Sequence, residues 1–449
     1  MKANFWRKVF AIGGALWLLG ASLNGEVPRK YADIVAAYTG PKHFSFWPET
    51  FVEEYNAYLE EIGETRYQRF LEYAEEILAS MEEYHWSEAY HVAHEEENRM
   101  ADWFDDDRWE EAITFRERVL NLKSLPLGFS ITEKSEEFYD LSDRTKEVRN
   151  LRNLARYFSE AARYALISEK PEEAMRFVQA THFMGGHLFR PVNLIEGLTL
   201  VAVSGISINL FWDLGWESWP SEDENEWKES LLTGRPTMHQ LRDAISLEPS
   251  YFLSLLPKFL ETSRREFIQA ARGETFLAWG MIPEIQNPRA FYQMYFTDEG
   301  WHKDLKRMLS LYSSFADLLL LSPKKRAEAL VEWKEAAKAD DSSDFLLSNN
   351  IPRMYERLLT SNLSIKGMTR LATLASAIRV YEAQNGSLPR ELADLPLWQE
   401  DAAWGTNPFT GEPIQYELTE DGFSLVMEAP ELSERNQETL RQHIVVPSE

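Results

Sequence analysis

The chain has 449 residues, 44% of them hydrophobic and 13% aromatic, which is too long for one small domain and too apolar for global disorder. Its 73 acidic side chains outnumber its 47 basic ones and leave a net charge of −26. That is the wrong sign for neutralising phosphates, so nucleic acid and general adhesion to anionic lipid are excluded as partners. Without a cysteine there are no disulfides, thiolate zinc sites or thiol nucleophiles, and any catalysis falls to hydroxyls, imidazoles, carboxylates or a hard metal ion.

Lys2, Arg7 and Lys8 precede an apolar run from Val9 to Leu23, shorter than the roughly 20 residues of a spanning helix. The pattern is that of an export signal, with Gly20 and Ser22 at the small-residue positions of a cleavage site. A retained anchor is the alternative reading. Residues 1–24 are thus expected to be a signal peptide or membrane anchor, the chain's only membrane contact, and the rest to be periplasmic or envelope-facing.

From Trp47 the periodicity is helical. Phe51, Val52, Tyr55, Tyr58, Leu59 and Ile62 share one face, and after Gly63 so do Tyr67, Phe70, Leu71, Ala74, Ile77, Leu78 and Met81. A further helix carries Val148, Leu151, Ala155, Phe158, Ala162 and Ala165. It breaks at Ser168-Glu169-Lys170, and a second helix opens on Pro171. Ala161, Ala162, Ala165 and Ala174 would let this hairpin close tightly, as in helix-pair repeats. The apolar stretch Gly197–Trp212, with Ser204, Ser207 and Asn209 in its middle, is expected to be a buried core helix. More helices are expected at Thr237–Ile245, Tyr251–Arg272, Glu299–Leu321 and Pro323–Ala339. The fold class is therefore mainly α over 25–360, an irregular bundle or helix-hairpin array.

After Ser361 the pattern changes. Met368, Leu371, Leu374, Ile378 and Tyr381 line a helix that stops at Asn385-Gly386, and a short helical turn is expected from Pro389. Two alternating strands follow, Ile414/Tyr416/Leu418 and Phe423/Leu425/Met427, joined through Asp421-Gly422, with a last strand at Ile444–Val446. The expectation for 361–449 is a small α+β module, a long helix laid on an antiparallel sheet.

This tail resembles the C-terminal half of type II secretion major pseudopilins. The matching runs are Ala377-Ile378-Arg379-Val380-Tyr381, Asn385-Gly386-Ser387-Leu388-Pro389, Asn407-Pro408-Phe409-Thr410-Gly411-Glu412-Pro413-Ile414-Gln415-Tyr416 and Asp421-Gly422-Phe423. Behind an export signal and an alanine-rich hairpin, it also resembles a group of uncharacterised exported bacterial α-helical proteins. The resemblance implies placement in the cell envelope and a structural or protein-binding role, and it implies no known activity. Two departures limit it. The pilin-like helix lies far from the N-terminus and includes Lys366, Arg370 and Arg379, unlike a polymerising pilin helix. The stretch Met427–Ser433 is not an acidic, glycine-containing loop, so calcium is not carried over.

The best metal-like constellation is Glu88, His91, His94 and Glu95, with His85 a turn earlier; imidazole and carboxylate together suit zinc or iron. A divalent metal there is the one cofactor the sequence suggests, against the simpler reading of a solvated acidic helix face. Asp105–Asp107 with Glu110 and Glu111 read as a charged helix N-terminus. Ser322 and Lys325 read as a cap ahead of Pro323 rather than a nucleophile and its base. His182 and His187, around Gly185-Gly186, read as buried or capping histidines. Trp212, Trp216 and Trp219 would line a sugar groove or else fill the core. The expected function is an exported or membrane-anchored envelope protein that binds a protein partner; an exported metal- or carboxylate-dependent hydrolase and a glycan-binding protein are the alternatives.

Overall fold

A computed structural model describes residues 56–90 apart from 59, 84, 87 and 88; 103–128; 141–219 apart from 192; 238, 241, 242, 244 and 245; 298–339; 351–396; 402–429; and 440–446. The expected helix at Tyr251–Arg272, the N-terminal segment and the run Asp340-Asp341-Ser342-Ser343-Asp344, whose composition is that of a solvated loop, lie outside these residues.

The architecture is mainly α, closed at its C-terminal end by a three-stranded antiparallel sheet. Helix α1 (Arg66–Glu83) buries Tyr67, Phe70, Ala74, Ile77 and Met81, the apolar stripe its spacing dictates. Helix α2 (Asp106–Asn121) starts where the Asp105 carboxylate accepts from the Arg108 N–H at 3.0 Å. It turns Trp109, Ala112, Phe115 and Val119 inward.

Helices α3 (Leu141–Ile167) and α4 (Pro171–Gly186) form the expected hairpin. All six residues of the predicted α3 stripe are buried. The break is a Schellman-type stop in which the Lys170 N–H reaches back to the Ala165 carbonyl at 2.8 Å. Glu169 takes the left-handed conformation there, with φ of 57°.

Helix α5 (Leu194–Leu214) packs against α3 and α4 on one side and against the long C-terminal helix on the other, so it is apolar all round. Among the described residues it is the one helix long and apolar enough to cross a membrane, and 67% of its most apolar window is buried within the fold. Asn193 caps it, accepting from the Glu196 N–H at 3.0 Å while donating to the Glu196 carboxylate at 3.1 Å. Where Thr237–Ile245 is described, the chain is helical, with Leu241, Ala244 and Ile245 buried.

Helix α6 (Asp298–Leu318) stops three residues before the expected end. Leu319–Leu321 look helical by hydrophobicity, yet Leu320 and Leu321 bond three residues back and tighten the chain into a turn. Ser322 then hands its carbonyl to the Arg326 N–H at 2.8 Å, and α7 (Pro323–Ala339) begins on Pro323.

Helix α8 (Ile351–Asn385) has 35 residues and so spans about 52 Å. It passes unbroken through position 360, where the sequence pattern changes, and it ends at Gly386 with φ of 67°. Two of its buried hydroxyls are satisfied one turn back: Thr369 donates to the Ile365 carbonyl at 2.8 Å and Thr373 to that of Thr369 at 2.9 Å. The expected turn at Pro389 forms instead as a 3₁₀ turn at Leu392–Asp394. The Pro389 carbonyl is engaged by the Tyr416 hydroxyl at 2.8 Å, while the Asp394 carboxylate accepts from the Arg390 and Glu391 N–H groups.

Strand β2 (Gly422–Val426) lies between β1 (Gln415–Leu418) and β3 (Arg441–Val445), with Phe423 opposite both Leu418 and Ile444. The third strand starts three residues before its expected position. Arg441, Gln442 and His443 give no apolar alternation, and only their pairing with β2 makes them a strand. Phe423, Leu425 and Met427 are buried. The sheet comes close where a Cβ on Gly367 would stand 2.9 Å from the Met427 sulfur and 3.2 Å from Leu440 Cδ2. One contiguous cluster of buried side chains runs from Tyr67 in α1 to Ile444 in β3.

Candidate functional site

Glu88, His91, His94 and Glu95 lie outside the described residues. Their neighbour His85 is described and lies outside helix α1. Helix α1 ends at Glu83, His85 has φ of 53°, and its carbonyl starts a new turn by accepting from the Ala89 N–H at 3.1 Å. Among the described residues no group of three or more histidine and carboxylate side chains is placed to hold a metal ion.

The acidic group at the start of α2 is a cap. Asp105 also takes the Arg108 guanidinium at 2.6 Å, which holds its carboxyl below the usual range, and Glu111 accepts from the Ser80 hydroxyl at 2.6 Å. Ser322 and Lys325 are both exposed at the start of α7. Trp216 and Trp219 are 7% and 4% exposed, so these two do not line an open groove. Trp219 stacks on Phe211 with ring centroids 4.7 Å apart and donates its indole N–H to the Phe211 carbonyl at 3.1 Å. Trp216 meets Phe423 of the sheet edge-on at 5.5 Å, and the Arg379 guanidinium of α8 lies over its ring at 5.2 Å. The tryptophans thus form the joint between α5, α8 and the sheet.

The two histidines divide. His182, fully buried, shares a hydrogen bond of 2.9 Å between its Nδ1 and the Ser207 hydroxyl, and ties α4 to α5. One turn on, Gly185 lets the two backbones meet: a Cβ there would stand 2.4 Å from the Ser204 hydroxyl and 2.7 Å from the Ser204 nitrogen. His187 caps α4 through its N–H to the Phe183 carbonyl and stacks on the Phe183 ring at 5.8 Å. Burial, with Arg66 and Lys123 nearby, pushes its imidazole down to about 4.

Two charged features escape sequence reasoning. Arg116 is 1% exposed and belongs to the apolar face of α2, one turn after Ala112. It gives hydrogen bonds of 2.5 Å to the Glu173 carboxylate, 3.2 Å to the Glu173 carbonyl and 2.7 Å to the Glu117 carboxylate, and lies 4.6 Å over the Phe177 ring. Arg176 completes the knot at 2.6 Å from Glu117. Arg66 clasps three carbonyls, those of Leu125 at 2.7 Å, Lys123 at 3.0 Å and His187 at 3.1 Å. The only sequence signal for the first is an arginine at a position where the α2 periodicity calls for an apolar residue.

At the far end the buried Arg326 of α7 donates to the Pro408 carbonyl at 2.8 Å. Asn407 orders the adjoining turn, giving its amide to the Glu428 carbonyl at 2.6 Å and accepting from the Phe409 N–H at 2.9 Å. These polar groups bridge elements that are distant in sequence. Their guanidinium forks suit that task because each satisfies several acceptors in a fixed plane. Compared with known proteins, the chain matches no protein-family model, no curated protein and no solved structure.

Proposed function

We infer that this is an exported envelope protein without catalytic activity, an acidic helical scaffold that carries a pseudopilin-like α+β unit and binds a protein partner. The observation that carries this reading is how three guanidiniums, two of them buried, are used. Arg116, Arg66 and Arg326 each bridge separate elements, as expected of a body built for rigidity. In support, the helix that corresponds to the pilin-type helix runs ten residues further toward the N-terminus than the resemblance, and it packs against α5 and α6. In this arrangement the α+β unit is a fixed cap on the scaffold rather than a polymerising subunit. The charged start and apolar run of residues 2–23 supply the route of export.

The test has two parts. Alkaline phosphatase fused after residue 30 is expected to be active, since that enzyme matures only outside the cytoplasm; an inactive fusion together with full-length protein in the cytosol would overturn export. In the native envelope the chain is expected to migrate as a stable complex with one other protein. Migration as a free monomer at all detergent and salt conditions would overturn partner binding.

A further inference from the structure

The end of α8 carries a feature that the scaffold reading does not use. Asn385 and Gly386 are both exposed, Gly386 has φ of 67°, and nothing lies within 4 Å of the point where its Cβ would be. Every other asparagine among the described residues precedes leucine, alanine or proline. Leucine and alanine hinder attack by the following nitrogen, and proline has no N–H to lose. We propose that Asn385-Gly386 is a site of spontaneous deamidation and isomerisation, and that the reaction loosens the last turn of α8.

In the reaction the Gly386 backbone nitrogen bonds to the Asn385 side-chain Cγ. The Asn385 amide nitrogen leaves as ammonia, taking the Gly386 proton, and a five-membered imide results. Water then opens the imide at one carbonyl or the other, giving aspartate or isoaspartate at 385 and restoring the N–H. One water is consumed and one ammonia released, with no oxidant or enzyme.

Two hydrogen bonds guard the reacting atoms: the Gly386 N–H donates to the Glu382 carbonyl at 2.7 Å, and the Asn385 side-chain amide donates to the Tyr381 carbonyl at 2.8 Å. Both belong to a terminal helical turn, which opens far more readily than the helix interior. Among the described residues the other candidate for imide formation, Asp421-Gly422, is held differently. A Cβ on Gly422 would fall 2.0 Å from the Ile444 carbonyl oxygen, so that peptide is wedged into the sheet and cannot turn to cyclise.

The product changes the local physics in three ways. It deletes the amide donor to Tyr381, places a negative charge at the helix C-terminus, where the dipole is already negative, and sets that charge one turn from Glu382. Glu382 pairs with Arg379 at 2.7 Å, and Arg379 is the residue lying over Trp216 at the joint with the sheet.

The test ages folded full-length protein at mildly alkaline pH and follows the tryptic peptide Val380–Arg390 by mass and by isoaspartate content. Asn385 is expected to convert before any other described asparagine, and the Asn385→Gln variant is expected to lose the shifted peptide entirely. An Asn385 that stays intact while the urea-unfolded chain converts, or that converts no faster than Asn121 or Asn153, would overturn the assignment. The Asn385→Asp variant is expected to melt at a lower temperature than Asn385→Gln; equal melting would overturn the loosening of α8.

Discussion

Three glycines along α4 and α5 allow the spacing of the helices to be tested by the sign of a stability change. Glycine to alanine inside a helix gains about 1 kcal/mol from backbone propensity alone. At Gly197 a new Cβ would meet only Leu241 Cδ2 at 3.6 Å and Ala244 Cβ at 3.9 Å, ordinary contacts, so G197A should keep most of that gain. At Gly205 it would meet Ile365 Cδ1 at 3.1 Å, the far end of a side chain that yields by a few tenths of an ångström. There the gain and the crowding should roughly cancel.

Gly185 differs because the obstructing atoms include backbone: the Ser204 nitrogen at 2.7 Å and its Cα at 2.9 Å. Neither can rotate aside, so α4 and α5 must separate. Overpacking of this kind costs about 1–3 kcal/mol. Opening the seam also stretches the His182–Ser207 hydrogen bond, a further loss of about 1 kcal/mol. G185A should thus be destabilised by about 2–4 kcal/mol, because the offsetting propensity gain is small at a helix end. The assay is urea unfolding followed by tryptophan fluorescence and far-UV circular dichroism, read as the order of midpoints G197A, wild type and G205A together, then G185A. A G185A midpoint at or above that of G197A would refute the close α4–α5 approach.

Replacing Arg116 by alanine should cost about 3 kcal/mol in thermal or urea unfolding, and Arg116→Lys should recover little of it, because a point charge cannot bond Glu173 and Glu117 in one plane while lying on Phe177. His187 is held neutral in the folded state well below its unfolded value near 6.5, so the unfolded chain binds the extra proton first as pH falls. The protein should accordingly lose stability between pH 6.5 and about 4, by about 3 kcal/mol at most from this group, and His187→Gln should flatten the urea midpoint against pH in that window. A double-mutant cycle on Trp216→Leu and Phe423→Leu should return a coupling of about 0.5–1.5 kcal/mol, since the two rings meet edge to face; a coupling of zero would mean that the sheet does not rest on the turn at Trp216 that follows α5.

Residues 66–81 and 148–174 become helices because their apolar residues recur every three or four positions, and a helix is the one local structure that gathers such residues on a single face. The same local logic places the stop at Glu169, the start of α7 at Pro323, the cap at Asp105 and the β1–β2 hairpin at Asp421-Gly422. Each depends on the conformational freedom of one or two residues or on a hydrogen bond within four. It also reads Gly197–Trp212 as a core helix, since serines and an asparagine in mid-stretch count against a membrane span.

Pairing between distant segments obeys no such local rule. Arg441–His443 become a strand only through hydrogen bonds to β2, and Arg116 occupies an apolar face only because Glu173 and Glu117 meet it there. Trp212, Trp216 and Trp219 offered two readings of one spacing. The contacts with Phe211, Phe423 and Arg379 make Trp216 and Trp219 a joint, since a side chain's burial depends on partners up to some 200 residues away. Composition and periodicity therefore set the elements and their inner faces, whereas tertiary packing alone decided which charges became staples, which aromatics closed the joint, and that α8 belongs to the helical body and the sheet at once.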